Sequence, residues 1–234
     1  MPRVDHKTRT GEGEQLRPKI EFILPEIKGA SAKFLAHPRI SQLYPEYLFG
    51  CYCIARASIP LMEATRQRAL AMAEHDEVCA ALAPYLETHI IEEKDHDEWF
   101  LEDLMALGWD RHTVLSRPPP ASLASMVGAQ YYWALHYHPV ALLGFLTALE
   151  SNPPTRKLID ELIEKTGRSP EVFRTLIEHA DLDPHHGDEL YQLLDELRLT
   201  PEQSTVVGLS AMHTLHMAAV SLAEVLDGLD GFAR

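Results

Sequence analysis

Two stretches of this chain set carboxylates and imidazoles at spacings that suit metal ligation. The first holds Glu92, Glu93 and His96; the second, roughly eighty residues on, holds His179, Asp183, His185 and His186. Glu93 stands three residues before His96, and Asp183 three before His186. On a helix that spacing turns both side chains into the same space. Two more glutamates, Glu63 and Glu150, occur in helical segments before and between them. The order is Glu, Glu-x-x-His, Glu, Asp-x-x-His, the ligand order of a carboxylate-bridged two-metal site within a helical bundle. Imidazole with carboxylate suits iron or manganese, whereas thiolates would suit zinc or clusters. Glutamates can bridge two cations about 3.5–4 Å apart. Open positions on two non-haem irons would admit dioxygen.

Composition alone produces such pairs. With 35 Asp plus Glu and 13 His in 234 residues, about two acidic-x-x-His pairs arise by chance, and two are present. The pairs gain meaning from their setting, because both fall in segments patterned for packing into a core. Charged side chains are rarely buried unless paired or bound to a metal.

At about 100° per residue, His89, Glu92, Glu93, His96 and Asp103 share one face of a third helical segment. That face would ordinarily be solvated, but Trp99 and Phe100 lie on it too and favour burial. The segment from His138 to Glu150 is apolar on nearly all sides, which marks a buried helix. Glu150 closes it, with Tyr132 and His136 in nearly the same direction; the alternative is an exposed carboxylate beside Asn152 and Pro153. His179, Asp183 and His186 follow at i, i+4 and i+7, one face of a helix. Pro184 disfavours helical backbone at Asp183. Either the helix kinks there, or a new one starts with Asp183 as its cap and the histidines on the surface. His213 and His216 fit core or pocket polarity better than ligation.

These residues need helices to hold them. Helical periodicity dominates and no stretch alternates as a strand does. Residues 1–13 are polar and expected to be disordered. Residues 14–234 then form one all-α domain of about seven helices. Segments are expected at Glu14–Ala36, kinked near Pro25; at Ser41–Glu74, bent at Pro60; at Asp76–Leu107, stopped by Gly108; and at Ser122–Glu150, interrupted by Pro139. Ser169-Pro170 and Thr200-Pro201-Glu202-Gln203 are helix starts, the latter with a capping box.

The formal net charge of −14 offers no basic footprint for nucleic acid and no attraction to an anionic membrane. The stretch from Val206 to Leu226 is apolar but holds Ser210, His213, Thr214, His216, Ser221 and Glu224, so it is expected to be a buried bundle helix. Three cysteines, Cys51, Cys53 and Cys79, fit a reducing cytosol. The N-terminus lacks an apolar signal core, so a cytoplasmic location is expected. There is no Gly-x-Ser-x-Gly, Walker sequence or dinucleotide fingerprint.

His179-x-x-x-Asp183-x-x-His186, Glu93-x-x-His96 followed by Trp99, and Glu150 between them resemble the haem-oxygenase-like diiron oxidases and oxygenases, the iron-containing redox enzymes. The likeness spans about residues 45–200, and the His-x-x-x-Asp-x-x-His element is its most specific part. It implies a haem-oxygenase-like bundle, two Fe(II)/Fe(III) ions and O2 as co-substrate, with no haem. His96, Glu150, His179, Asp183 and His186 match the family's ligand positions. Glu63 or Glu93 would supply the remaining glutamate; where some members place that glutamate nearer the first ligand histidine, this chain has His89. The family's reactions include N-oxygenation of amines, oxidative C–C cleavage and desaturation-type fragmentation.

The expected function is therefore a diiron oxygenase or oxidase acting on a small metabolite, with N-oxygenation of a small amine as the favoured reaction. Oxidative cleavage of an amino acid or fatty acid is the alternative at the same site. Arg56, His89, Glu92, Tyr132 and His136 are candidates for the substrate pocket or for supporting the ligands, and Tyr131, Trp133 and Tyr137 suit pocket or core. The expected partners are a small-molecule substrate and an external electron donor, with a homodimer as the candidate assembly and no nucleic acid or membrane. Two other classes compete: a ferritin-like iron-binding protein, which favours four long uninterrupted helices, and a metal-free thiaminase-like hydrolase, which needs a reactive cysteine.

Overall fold

The computed structural model describes residues 11–231, with the side chains of 183, 184 and 229–231 outside that description. Every regular element among the described residues is helical. In order they are α1 (Glu12–Ala36), α2 (Ile40–Met72), α3 (Glu77–Glu92), α4 (His96–Ala106), α5 (Arg111–Ser116), α6 (Ala121–His136), α7 (Leu142–Glu150), α8 (Arg156–Thr166), α9 (Arg174–Glu196) and α10 (Pro201–Gly231). Short 3-10 turns occupy Pro139–Ala141 and Pro170–Phe173. The all-α expectation holds, and the described helices outnumber the seven expected because the segments at 76–107 and 122–150 each divide in two and the short α5 and α8 are additional, while α9 joins two expected helices.

Pro139 interrupts the segment that ends at Glu150, as expected, whereas Pro25 and Pro60 leave their helices in one piece. α1 runs through Pro25 and α2 through Pro60. Leu61 and Met62, next to Pro60, are fully buried. Packing of such a stripe outweighs one lost backbone hydrogen bond. α9 likewise continues past Pro184, so Asp183 does not cap a new helix. A further break, not expected, falls where no proline stands. α3 ends at Glu92, and Asp95 takes a left-handed conformation (φ 69°) before α4 begins at His96. Aspartate enters that region at lower cost than most side chains. For residues 1–10 the expectation of disorder lies outside the described residues; Glu12 and Gly13, included in it, instead open α1, and the Gly13 amide donates to Asp195 Oδ1 at 2.8 Å.

The capping box is present in full. Thr200 Oγ1 accepts from the Gln203 amide at 3.2 Å, and Gln203 Oε1 from the Thr200 amide at 2.9 Å. The α10 that follows is long and apolar enough to cross a membrane by length and composition alone. It packs instead against α1, α6 and α7, with Ser210 and Thr214 buried and bonded to Gln130. Gly144 permits its contact with α7: a Cβ there would stand 2.1 Å from the Val207 carbonyl oxygen.

Buried side chains form two apolar clusters. One gathers α3, α7, α10 and the later part of α9; the other gathers α4, α8, the start of α2 and the start of α9. The break between α3 and α4, the end of α7 and the middle of α9 therefore come together where the clusters meet.

Candidate metal centre

His89 continues the buried stripe of α3 set by Leu82 and Leu86 and is itself 1% exposed. Its Nε2 lies 2.9 Å from Glu150 Oε1, at the end of α7. His186, on α9, places Nδ1 3.7 Å from Glu150 Oε2. Ligand atoms of His89, Glu150 and His186 lie within 4.8 Å of one another, and all three residues are buried.

A second triad forms across the break. Glu93 caps α3, with its amide bonded to the His89 carbonyl at 2.9 Å. The left-handed turn at Asp95 then brings His96 back, and His96 Nδ1 sits 2.9 Å from Glu93 Oε2. His179, from α9, completes the group, its ring 4.9 Å from that of His96 in an edge contact. Ligand atoms of Glu93, His96 and His179 also lie within 4.8 Å of one another. Glu93 joins the triads, because its other oxygen, Oε1, stands 3.7 Å from His186 Nδ1. Trp99, 4.2 Å from the His96 ring, and Phe100, 5.4 Å from that of His179, close the apolar side.

Protonation is set by burial and charge. Burial opposes a charge on His89, but its bond to Glu150 and the charges of Glu150, Glu93 and Glu92 outweigh this and lift its pKa from 6.5 to about 9. Burial raises the Glu150 carboxyl more than its bond to His89 lowers it. At Glu93 burial is outweighed by the hydrogen bond from His96 together with the charges of His96, His89 and His179, and the pKa falls. Burial pushes His179 down, towards the neutral form a metal requires.

The donor atoms also test the site for a cation. His89 Nδ1, Glu150 Oε2 and His186 Nδ1 are buried without a hydrogen-bond partner. Buried polar atoms are rarely left so. Three orphans converging beside one carboxylate fit a bound cation, and four imidazoles with two carboxylates suit iron. The Tyr85 hydroxyl is orphaned as well; its ring stacks on His89 at 5.5 Å. Sequence reading passed over Tyr85, although it stands one helical turn before His89.

The structure thus brings together Glu93, His96, Glu150, His179 and His186 of the expected ligands. It adds His89, a pocket or supporting candidate that the sequence left open as a ligand beside Glu63 and Glu93. Glu63 is not brought in: it is exposed on α2, because Leu61 and Met62 take the inward face. The side chain of Asp183 lies outside the described residues. Glu92 stays at the rim, 3.6 Å from His89 Nδ1. The remaining pocket candidates lie elsewhere. Arg56 is exposed and donates to the Tyr52 hydroxyl at 3.2 Å. Tyr132 and His136 are exposed on α6 and pack on each other at 5.3 Å.

Another group, Asp76, Cys79 and His138, has ligand atoms equally close. Asp76 Oδ1 caps α3 through the Cys79 amide, and Asp76 Oδ2 lies 3.0 Å from His138 Nε2. The Val140 amide donates to His138 Nδ1 at 3.1 Å. The hydrogen of neutral His138 is then on Nε2, leaving no lone pair there for a cation. This cluster is a helix cap.

The fold and the site define an all-helical protein of haem-oxygenase-like architecture. A domain of unknown function with a heme oxygenase-like fold from Shewanella denitrificans aligns with a TM-score of 0.76 at 20% identity, over 94% of this chain and 92% of that one. A TenA homolog from Pseudomonas syringae pv. tomato aligns with a TM-score of 0.65 at 10% identity, over 97% of this chain and 99% of that one. No curated protein is similar enough to match. The family model for iron-containing redox enzymes matches residues 63–219, and the chain belongs to that family.

Proposed function

We propose that this protein is a non-haem diiron, dioxygen-dependent oxygenase or oxidase acting on a small metabolite, with N-oxygenation of a small amine as its reaction. The observation that carries this is the placing of Glu93, with one oxygen at the His96 and His179 triad and the other facing His186 of the second triad. A carboxylate so placed is a natural bridge between two cations. When bound, a pair of ferrous ions supplies the electrons that activate dioxygen. The chain's own part is to hold and shield that pair. Glu93 and Glu150 offset cationic charge in a buried setting. His179 keeps Nε2 for ligation, because its Nδ1 is bonded to the Thr175 carbonyl at 2.8 Å. Trp99, Phe100 and Tyr85 exclude water, which strengthens each charge interaction inside. The net charge of −14 favours the approach of a cationic amine. An external electron donor, a cytosolic setting and a homodimer belong to the same proposal.

Anaerobic reconstitution with ferrous iron tests it. Close to two irons per chain should bind, and oxygen uptake should follow on mixing with an amine substrate and a reductant. Tight binding of a single zinc with no second site would sink the diiron function. Products retaining the amine but shortened by carbon would move the reaction to oxidative C–C cleavage of an amino acid or fatty acid. A cysteine hydrolase draws no support from the thiols: burial pushes Cys51 and Cys79 up to about 12 and Cys53 to about 11. A ferritin-like protein would favour four long, unbroken helices, whereas here the ligands straddle a break between α3 and α4.

A further inference from the structure

α9 begins without a local cap. Phe173 precedes it and offers no side-chain acceptor, so the Thr175 amide needs a partner from elsewhere. Asp103, near the far end of α4 and 3% exposed, supplies it: Oδ2 accepts from the Thr175 amide at 2.9 Å. A buried carboxylate is costly to maintain, and the positive end of α9 offsets part of that cost. The adjacent ion pair, Arg174 to Glu102 at 2.6 Å, is exposed and adds little. Two features make this contact more than a cap. The helix that carries Asp103 starts at His96, so the bond fixes α4 against α9 and with it His96 against His179. The carbonyl of the same Thr175 takes the Nδ1 proton of His179 at 2.8 Å. A hydrogen bond at one imidazole nitrogen determines which nitrogen is left to bind a metal.

Resting on the metal centre proposed above, we infer that Asp103 is the positioning residue for its Glu93, His96 and His179 half. By holding the Thr175 amide at the start of α9, Asp103 fixes the residue whose carbonyl, one peptide unit on, keeps His179 in the Nδ1–H tautomer, with Nε2 as the ligand nitrogen. Among the described residues no backbone carbonyl orients a ring of the other triad: His89 Nε2 meets Glu150 itself, and His89 Nδ1 and His186 Nδ1 are without hydrogen-bond partners.

The test uses the full chain, wild type and the variants Asp103→Asn and Asp103→Leu, titrated with zinc(II) as a diamagnetic probe. Histidine ring nitrogen resonances report the tautomer of His179 before metal is added and its shift afterwards. In wild type, His179 should be Nδ1–H. In D103L that preference should be lost, and the binding step that shifts His179 should weaken about 10–100-fold, the other step changing by less than about threefold. D103N retains an acceptor for the Thr175 amide and should keep the tautomer and both affinities. If D103L does not fold, Asp103→Ala removes the acceptor without adding bulk. An Nε2–H tautomer in wild type, equal weakening of both steps, no weakening at all, or D103N as impaired as D103L would each overturn the inference. A wild type that takes up no second zinc counts against the two-metal function, while loss of the His179 tautomer in D103L still upholds the Asp103 link.

Discussion

Gly187 lies directly against the end of the helix that carries Glu150. A Cβ at Gly187 would stand 2.9 Å from Ser151 Cα and 3.1 Å from the Glu150 carbonyl oxygen. Both neighbours are backbone, so neither can swing aside. The missing side chain is what lets α9 reach α7 and brings His186 to Glu150. Gly187→Ala should force the helices apart, at an overpacking cost of about 1–3 kcal/mol. We expect iron affinity at the His89, Glu150 and His186 triad to drop about tenfold or more. An iron titration of G187A against wild type checks this, and unchanged affinity would show that α9 adapts without moving His186.

Glu150→Ala removes the one carboxylate of that triad and leaves His89 and His186 as a bare imidazole pair. Iron loading should fall from about two towards one per chain, and dioxygen-dependent turnover should be abolished. The helical circular dichroism signal should be largely kept, since Glu150 sits in the last position of α7. Full activity in E150A would remove Glu150 from the metal centre.

The ligand types were legible in the sequence, but their geometry only in part. Glu93 and His96 were paired on the assumption of one continuous helix, whereas they meet across a turn whose left-handed residue, Asp95, gives no strong signal in a single sequence. The pair survives because the turn restores the proximity that helical spacing would have given. His89 could have been read as a centre residue from its stripe, since Leu82 and Leu86 precede it at helical intervals and point inward. Glu63 follows two inward residues and so faces out. Aromatic residues such as Tyr132 fit a pocket lining and a helix surface equally well until the neighbouring helices are placed. At Pro60 local backbone preference was weighed without the burial of Leu61 and Met62, which keeps α2 in one piece.

His89 makes the stability of the metal-free protein depend on pH. A histidine lifted from 6.5 to about 9 on folding stabilises the folded chain fully below pH 6.5. That contribution is lost as pH rises through about 9. Urea unfolding of metal-free protein should therefore show stability falling by on the order of 1–3 kcal/mol across that window. His89→Gln should flatten the fall. Iron binding takes the place of the proton, so loaded protein should lose the same pH dependence. A profile unaffected by H89Q would show that the proton is held elsewhere.

Pro184 lies seven helical positions before Tyr191 and between His179 and His186, which serve different triads. A proline inside a helix has no amide to donate, so the carbonyl four residues back loses its partner. The helix between the two histidines is thus held by fewer backbone bonds than an ordinary turn, while a metal ion on each histidine would pin both sides. We expect metal binding to be coupled to local folding of residues 178–187. Hydrogen exchange of those amides should slow by about tenfold or more on iron loading, with smaller changes in α10. Pro184→Ala restores the donor and should shrink the difference between metal-free and loaded protein, by slowing exchange in the metal-free form. Equal protection of residues 178–187 with and without iron in the wild type would mean that the site is preformed and that the proline has no part in loading.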